Sequence, residues 1–137
     1  MKLGSDEIFY INVFDSISGA VAKDVIVQGN SVVFLVKKGD VGKAVGKNAC
    51  NVNTLRKKFG KNIEILEQGD NPEEFVKKAL YTVKIKSVEI VENEDRKNGF
   101  VVLDAGEKRK LLSNLGRFKR IKEIAKRNYG LHELRLK

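Results

Sequence analysis

Two short apolar runs, Val32-Val33-Phe34-Leu35-Val36 and Gly99-Phe100-Val101-Val102-Leu103, lie about 66 residues apart, and the pattern that follows the first run returns after the second. At an offset of 66, Val45 matches Leu111, Val52 matches Phe118 and Leu55 matches Ile121. Phe59-Gly60 is echoed by Tyr129-Gly130 at an offset of 70, and Ile63 and Ile65 by Leu134 and Leu136, so the second copy has gained about one helical turn. Self-similarity at such a spacing makes each half one supersecondary unit. This weak repeat points to two copies of one small layout, split near Glu67-Gln68-Gly69-Asp70-Asn71-Pro72, the segment with the single proline. We place the first unit at residues 1–68 and the second at residues 69–137. Halves this small, joined this closely, are expected to pack through a fixed interface.

In the first copy, residues 32–36 read as a continuous apolar strand, residues 41–45 and 48–59 as helices flanking a one-turn loop at Gly46, and residues 62–66 as a strand. Gly60 suits the left-handed cap after Phe59. Ahead of these, Ser5-Asp6-Glu7 starts a helix with Phe9, Val13 and Ile17 spaced by four, and residues 21–27 form a strand that turns at Gln28-Gly29-Asn30-Ser31. In the second copy, Asn71 caps and Pro72 begins a helix of about nine residues, Glu74 stands where a capping box needs it, and Phe75, Val76, Ala79 and Leu80 form a buried stripe. Residues 83–91 alternate as a strand, residues 92–99 read as a polar hairpin-like turn, and Phe100 leads the next strand. Leu111, Phe118, Ile121, Ile124 and Ala125 recur at helical spacing and are scaffold. Each half therefore reads helix-strand-strand-helix-helix-strand, an α+β layout with a three-stranded sheet backed by helices.

The chemistry concentrates at Gly46. A glycine leaves no side chain between backbone and ligand, the helix predicted from Asn48 presents its N-terminal amides there, and Lys43 and Lys47 add positive charge at the same edge. That combination is a phosphate cradle with single-stranded nucleic acid as its guest. Strand, helix, loop, helix and strand over residues 32–66 resemble a K homology (KH) domain, whose Gly-x-x-Gly loop clamps the backbone of about four nucleotides. Because the extra helix and strand come first, the resemblance is to the prokaryotic, type II form. Gly46-Lys47-Asn48-Ala49 carries alanine in place of the closing glycine, a methyl expected to weaken the clamp by about 1 kcal/mol if that residue must be left-handed. In the second copy the loop is degenerate: Leu112-Ser113-Asn114-Leu115, then Gly116, with bulky Leu115 holding a phosphate backbone away, so its binding should lean on charge.

Two consecutive type II KH domains, together with residues 36–48, Ile63-Glu64, Asp70-Asn71-Pro72-Glu73-Glu74-Phe75 and Ala125-Lys126-Arg127-Asn128-Tyr129-Gly130, resemble the archaeal NusA-like transcription factors. The resemblance implies non-catalytic capture of single-stranded RNA in transcription termination, antitermination or elongation control, with RNA polymerase as a further partner. The RNA-binding residues it points to are Gly42, Lys43, Val45, Gly46, Lys47, Asn48 and Ala49 in the first copy. In the second they are Lys110, Ser113, Asn114, Gly116, Arg117, Lys119 and Arg120. Val36, Val45, Val52 and Ile63 would line the groove for bases, and aromatic stacking should contribute little, since there is no Trp and most Phe and Tyr fall at core-periodic positions.

Charge agrees with a polyanionic partner. The net is +9, from 27 basic and 18 acidic residues. Residues 1–80 hold 12 Lys and Arg against 10 Asp and Glu, whereas residues 81–137 hold 15 against 8, so the second half is the electropositive one. An enzyme acting on RNA is disfavoured: catalysis by general acid and base needs convergent His or carboxylates, yet His132 stands alone and the acids are scattered. Cys50 has no partner cysteine for a disulfide and no nearby histidine, and no zinc-ligand spacing exists, so neither metal nor cofactor is expected. With 42% apolar residues, no apolar run near the roughly 18 residues of a membrane span and an N-terminus that turns polar at once, the sequence predicts a cytoplasmic, monomeric globular protein without a secretory signal. The other reading it leaves open is a ribosome-associated or polymerase-docking module, with the basic helix over residues 117–128 meeting an acidic surface.

Overall fold

A computed structural model describes residues 5–137, so the polar N-terminal residues 1–4, read above as lacking a secretory signal, lie outside the described part. The chain divides into two compact units, residues 1–68 and 69–137.

The first unit runs α1 (Ser5–Ser18), β1 (Ala22–Gln28), β2 (Ser31–Val36), α2 (Val41–Val45), a 3-10 turn (Lys47–Ala49), α3 (Cys50–Phe59) and β3 (Asn62–Glu67). Its sheet has the order β1-β2-β3, with β1 antiparallel and β3 parallel to the central strand. An unbroken apolar run, rather than alternation, marks a strand covered on both faces, and Val32 to Val36 are all fully buried. Phe34 stacks on Phe14 of α1 with ring centroids 4.3 Å apart, and Val25, Ala44 and Leu55 complete the same core. Because the buried side of α1 is centred on Phe14, the four-residue spacing that singled out Phe9 was off by part of a turn: Phe9 is half exposed, with its ring beside those of Tyr10 and Phe59. Gly60 caps α3 at φ 64°, its amide bonded to the Arg56 carbonyl.

The second unit repeats the order: α4 (Pro72–Ala79), β4 (Ser87–Asn93), β5 (Arg96–Val102), α5 (Ala105–Leu112), α6 (Leu115–Tyr129) and β6 (Leu131–Leu136). Its sheet is β4-β5-β6, again antiparallel then parallel. Asn71 Oδ1 accepts the Glu74 amide at 2.8 Å, while the Glu74 carboxylate accepts from the Asp70 amide at 2.9 Å, one residue before the position a strict capping box would use. Tyr129 locks the start of the unit: its hydroxyl donates to the Gly69 carbonyl at 2.9 Å and accepts the Gly69 amide at 2.8 Å. Leu111, Phe118, Ile121, Ile124 and Ala125 are all buried.

Two expectations for this unit need correction. The strand predicted over 83–91 begins only at Ser87, because the Val83 amide turns back to the Leu80 carbonyl and both side chains are buried beneath that turn. The turn predicted over 92–99 shrinks to Glu94 and Asp95, at φ 49° and 67°, and β5 starts at Arg96. Two central residues with positive φ give the twist that a two-residue hairpin needs, so the charged residues on either side can pair as strand.

Candidate nucleic-acid interface

Around Gly46 the local sequence makes a sharp corner. The Gly46 amide donates to the Gly42 carbonyl at 2.9 Å and ends α2, with Gly46 at φ 81° and ψ 166°. Asn48 (φ 56°, ψ 32°) and Ala49 (φ 59°, ψ 28°) then follow in the left-handed region before α3 starts at Cys50. Hence α3 begins two residues later than predicted, since two left-handed residues cannot continue a right-handed helix. Asn tolerates this conformation; alanine is strained in it.

Gly46 also has a use on the protein side of the corner. A Cβ there would stand 2.8 Å from both Asn51 Nδ2 and Cys50 Sγ, so the glycine makes room on the protein side of the corner. Asn51 Nδ2 uses that room to donate to the Lys43 carbonyl at 3.1 Å, tying α3 to α2 across the loop. The outer side remains open: Gly42, Lys43, Lys47 and Asn48 are exposed, and Val45, Gly46 and Ala49 are half-buried. Of the four groove residues, Val45, Val52 and Ile63 are half-buried and accessible, whereas Val36 is fully buried and can line nothing.

In the second unit the corresponding connection is of another kind. Leu112 ends α5, Ser113 and Asn114 make the turn, and Leu115 and Gly116 already belong to α6, so the loop is shorter than the predicted 112–116. Ser113 and Asn114 have φ of −71° and −131°, without the left-handed geometry of residues 48 and 49. Asn114 caps α6 by accepting the Arg117 amide at 3.4 Å, and Ser113 Oγ donates to the Lys110 carbonyl at 2.5 Å. Lys119 is exposed and Arg120 is half-buried. Lys110 pairs with Glu107 at 3.4 Å, and Arg117 is drawn to its own scaffold, donating to the Ala79 carbonyl at 2.7 Å. The Glu107 carboxyl is held below its ordinary value, chiefly by accepting the Lys84 amide at 3.1 Å.

Beside this turn lies a cavity of about 430 Å³ that sequence reasoning missed, its lining including Leu112, Leu115 and Leu136 together with Lys119, Lys122 and Arg135. The exposure of Leu112 and Leu115 is the signal that an apolar count of the helix alone could not give, because periodicity separates faces but does not say which face is covered.

A family model described as KH domain matches residues 9–97, which spans the whole corner at Gly46 and its flanking elements. The chain belongs to the KH domain family. KH domains bind RNA. Among the described residues there is no cluster of His, Cys, Asp and Glu able to hold a metal ion. No described helix is long and apolar enough to cross a membrane. The KH chain is similar to curated proteins named probable transcription termination protein NusA. That of Methanocaldococcus jannaschii is 34% identical over 88 residues, 64% of this chain and 48% of that protein. That of Methanococcus vannielii is 33% identical over 88 residues, 64% and 51% of the two chains, and that of Halococcus morrhuae 30% over 93 residues, 68% and 67%. The chain thus spans about half the length of the first two relatives, and it is a NusA-like KH protein. Among solved structures, the crystal structure of APE1850 superposes with a TM-score of 0.86 at 29% identity, covering 98% of this chain and 100% of that one.

Proposed function

We propose that the chain captures single-stranded RNA without chemistry, in the control of transcription termination, antitermination or elongation, through two KH domains at residues 1–68 and 69–137. The observation that carries this reading is the open corner at residues 46–49, with Asn48 and Ala49 left-handed and the exposed Lys43 and Lys47 beside it. Gly42, Gly46, Lys47, Asn48 and Ala49 hold the phosphates; Val45, Val52 and Ile63 lie under the bases. A corner whose geometry exists before the ligand arrives spends little conformational entropy on binding.

The second unit is the degenerate partner. Without a left-handed corner it offers Lys110, Ser113, Asn114, Gly116, Arg117, Lys119 and Arg120 as a charged flank, with the apolar cavity next to Lys119 taking bases. RNA polymerase is the protein partner in this reading, met through the basic α6.

The test is a double substitution, Lys47→Asp with Asn48→Asp, which puts two carboxylates where phosphates would sit. Both side chains are exposed, so the far-ultraviolet spectrum should be unchanged, while affinity for a fluorescein-labelled single-stranded RNA falls below detection. Unchanged affinity would move the site elsewhere.

A further inference from the structure

Tyr81 is 75% exposed, more than any other exposed large apolar side chain among the described residues. The turn that carries it has no folding use for an aromatic ring, since its neighbours Leu80 and Val83 already provide the buried anchors. Yet the ring is not left loose. The Arg117 guanidinium lies 5.2 Å from its centroid and is itself held by the Ala79 carbonyl at 2.7 Å, so a fixed cation lies over a ring that is otherwise largely exposed. Arg117 also lines an adjoining concavity of about 230 Å³, together with Thr82, Lys110, Ser113 and Asn114, which bring hydroxyl, ammonium and amide groups to one place.

We infer that Tyr81, stiffened by Arg117, is a stacking platform for one unpaired base of RNA, with the adjoining concavity recognising that nucleotide's edge and phosphate. This rests on the RNA-binding reading above and adds to it a residue outside both loops. Three properties favour a nucleotide over other ligands. An exposed aromatic ring backed by a cation matches the stacking by which single-stranded RNA is held. The Thr82 hydroxyl and the Asn114 Nδ2 amide suit the edge of a base, whereas an acidic protein surface would need only the cations. The concavity shares Lys110, Ser113, Asn114 and Arg117 with the charged flank already proposed, so one strand can reach both. An exposed cation–aromatic contact kept only for stability would contribute little, and such a role is separable by experiment.

The experiment uses the full chain and a fluorescein-labelled oligouridylate of about eight nucleotides, within the usual span of single-strand sites, read by anisotropy. Tyr81→Ala should weaken binding about 5- to 150-fold, the range of losing one base–aromatic stack, with an unchanged melting curve. Tyr81→Phe should stay within about twofold of the parent, and Tyr81→Leu should behave as Tyr81→Ala. Tyrosine emission of the parent should be quenched on adding RNA, and that quenching should vanish in Tyr81→Leu. If Tyr81→Ala and Tyr81→Leu bind RNA as tightly as the parent while Lys47→Asp/Asn48→Asp does not bind, the inference is overturned and the RNA-binding reading stands. If the Tyr81 variants keep RNA affinity but lose binding to polyglutamate, the platform serves an acidic protein and the inference is overturned as well. If the parent binds no single strand at all, both fall.

Discussion

Replacing Ala49 by glycine should make this protein more stable, against the usual direction of such a change. Ala49 sits at φ 59°, ψ 28°, where an L side chain crowds the following carbonyl at roughly 1–2 kcal/mol. Glycine removes that strain but gives the unfolded chain more freedom, an opposing term of about 0.5–1 kcal/mol. The balance is a gain of about 0.5–1 kcal/mol, smaller if the half-buried methyl makes useful contacts. With an unfolding entropy near 2.1 cal/mol/K per residue, a chain of 137 residues melting in one transition should gain about 2–4 °C. Calorimetry on the parent, Ala49→Gly and Ala49→Val gives the answer, since a β-branched residue is worse still in that conformation and should lower the midpoint. Asn48 and Ala49 are left-handed with no ligand bound, so the strain belongs to folding. RNA affinity should change only through the missing methyl, by up to about fivefold in favour of glycine, the equivalent of about 1 kcal/mol. A lower midpoint for Ala49→Gly together with a tolerated Ala49→Val would refute the left-handed corner.

Two other perturbations test the electrostatics. If about four phosphates are neutralised, log affinity for single-stranded RNA should fall with a slope near 3 per log unit of salt, from about 0.7 per phosphate; a flat profile in an anisotropy titration would discard the cationic clamp. In the second unit, the Glu107 carboxyl is held below its ordinary 4.5 by the Lys84 amide, so its contribution to stability is full above that value and is lost as the pH falls through the lowered folded-state value. Chemical denaturation as a function of pH should therefore show a shallower acid limb in Glu107→Gln, and an unchanged limb would mean that the Lys84–Glu107 bond does not bias ionisation.

The order of elements was legible because the signals were local and redundant. Val32–Val36, the Asn71-Pro72 start of α4 and Gly60 after Phe59 each combine a pattern with a cap or turn residue that has one physical use. Boundaries failed where tertiary contacts decided them. Val83 alternates correctly for a strand, yet its amide bonds back to Leu80, and Glu94-Asp95 makes a tight hairpin without the glycine or asparagine that usually announces one. At the candidate site, the sequence located the corner but not its mechanics. That Gly46 exists to admit Asn51, and that Asn48 and Ala49 are both left-handed, depends on a contact between α2 and α3 that no spacing encodes. Tyr81 was passed over for the opposite reason: amid buried Leu80 and Val83 it looks like core, and only its exposure separates it from them.

The most direct test of the corner as the RNA site is amide chemical-shift mapping of isotope-labelled protein during titration with single-stranded RNA. The account predicts the largest shifts at Lys43 and over residues 46–49, with a weaker set around Ser113, Asn114 and Lys119. Shifts that leave residues 46–49 untouched at saturation would contradict it.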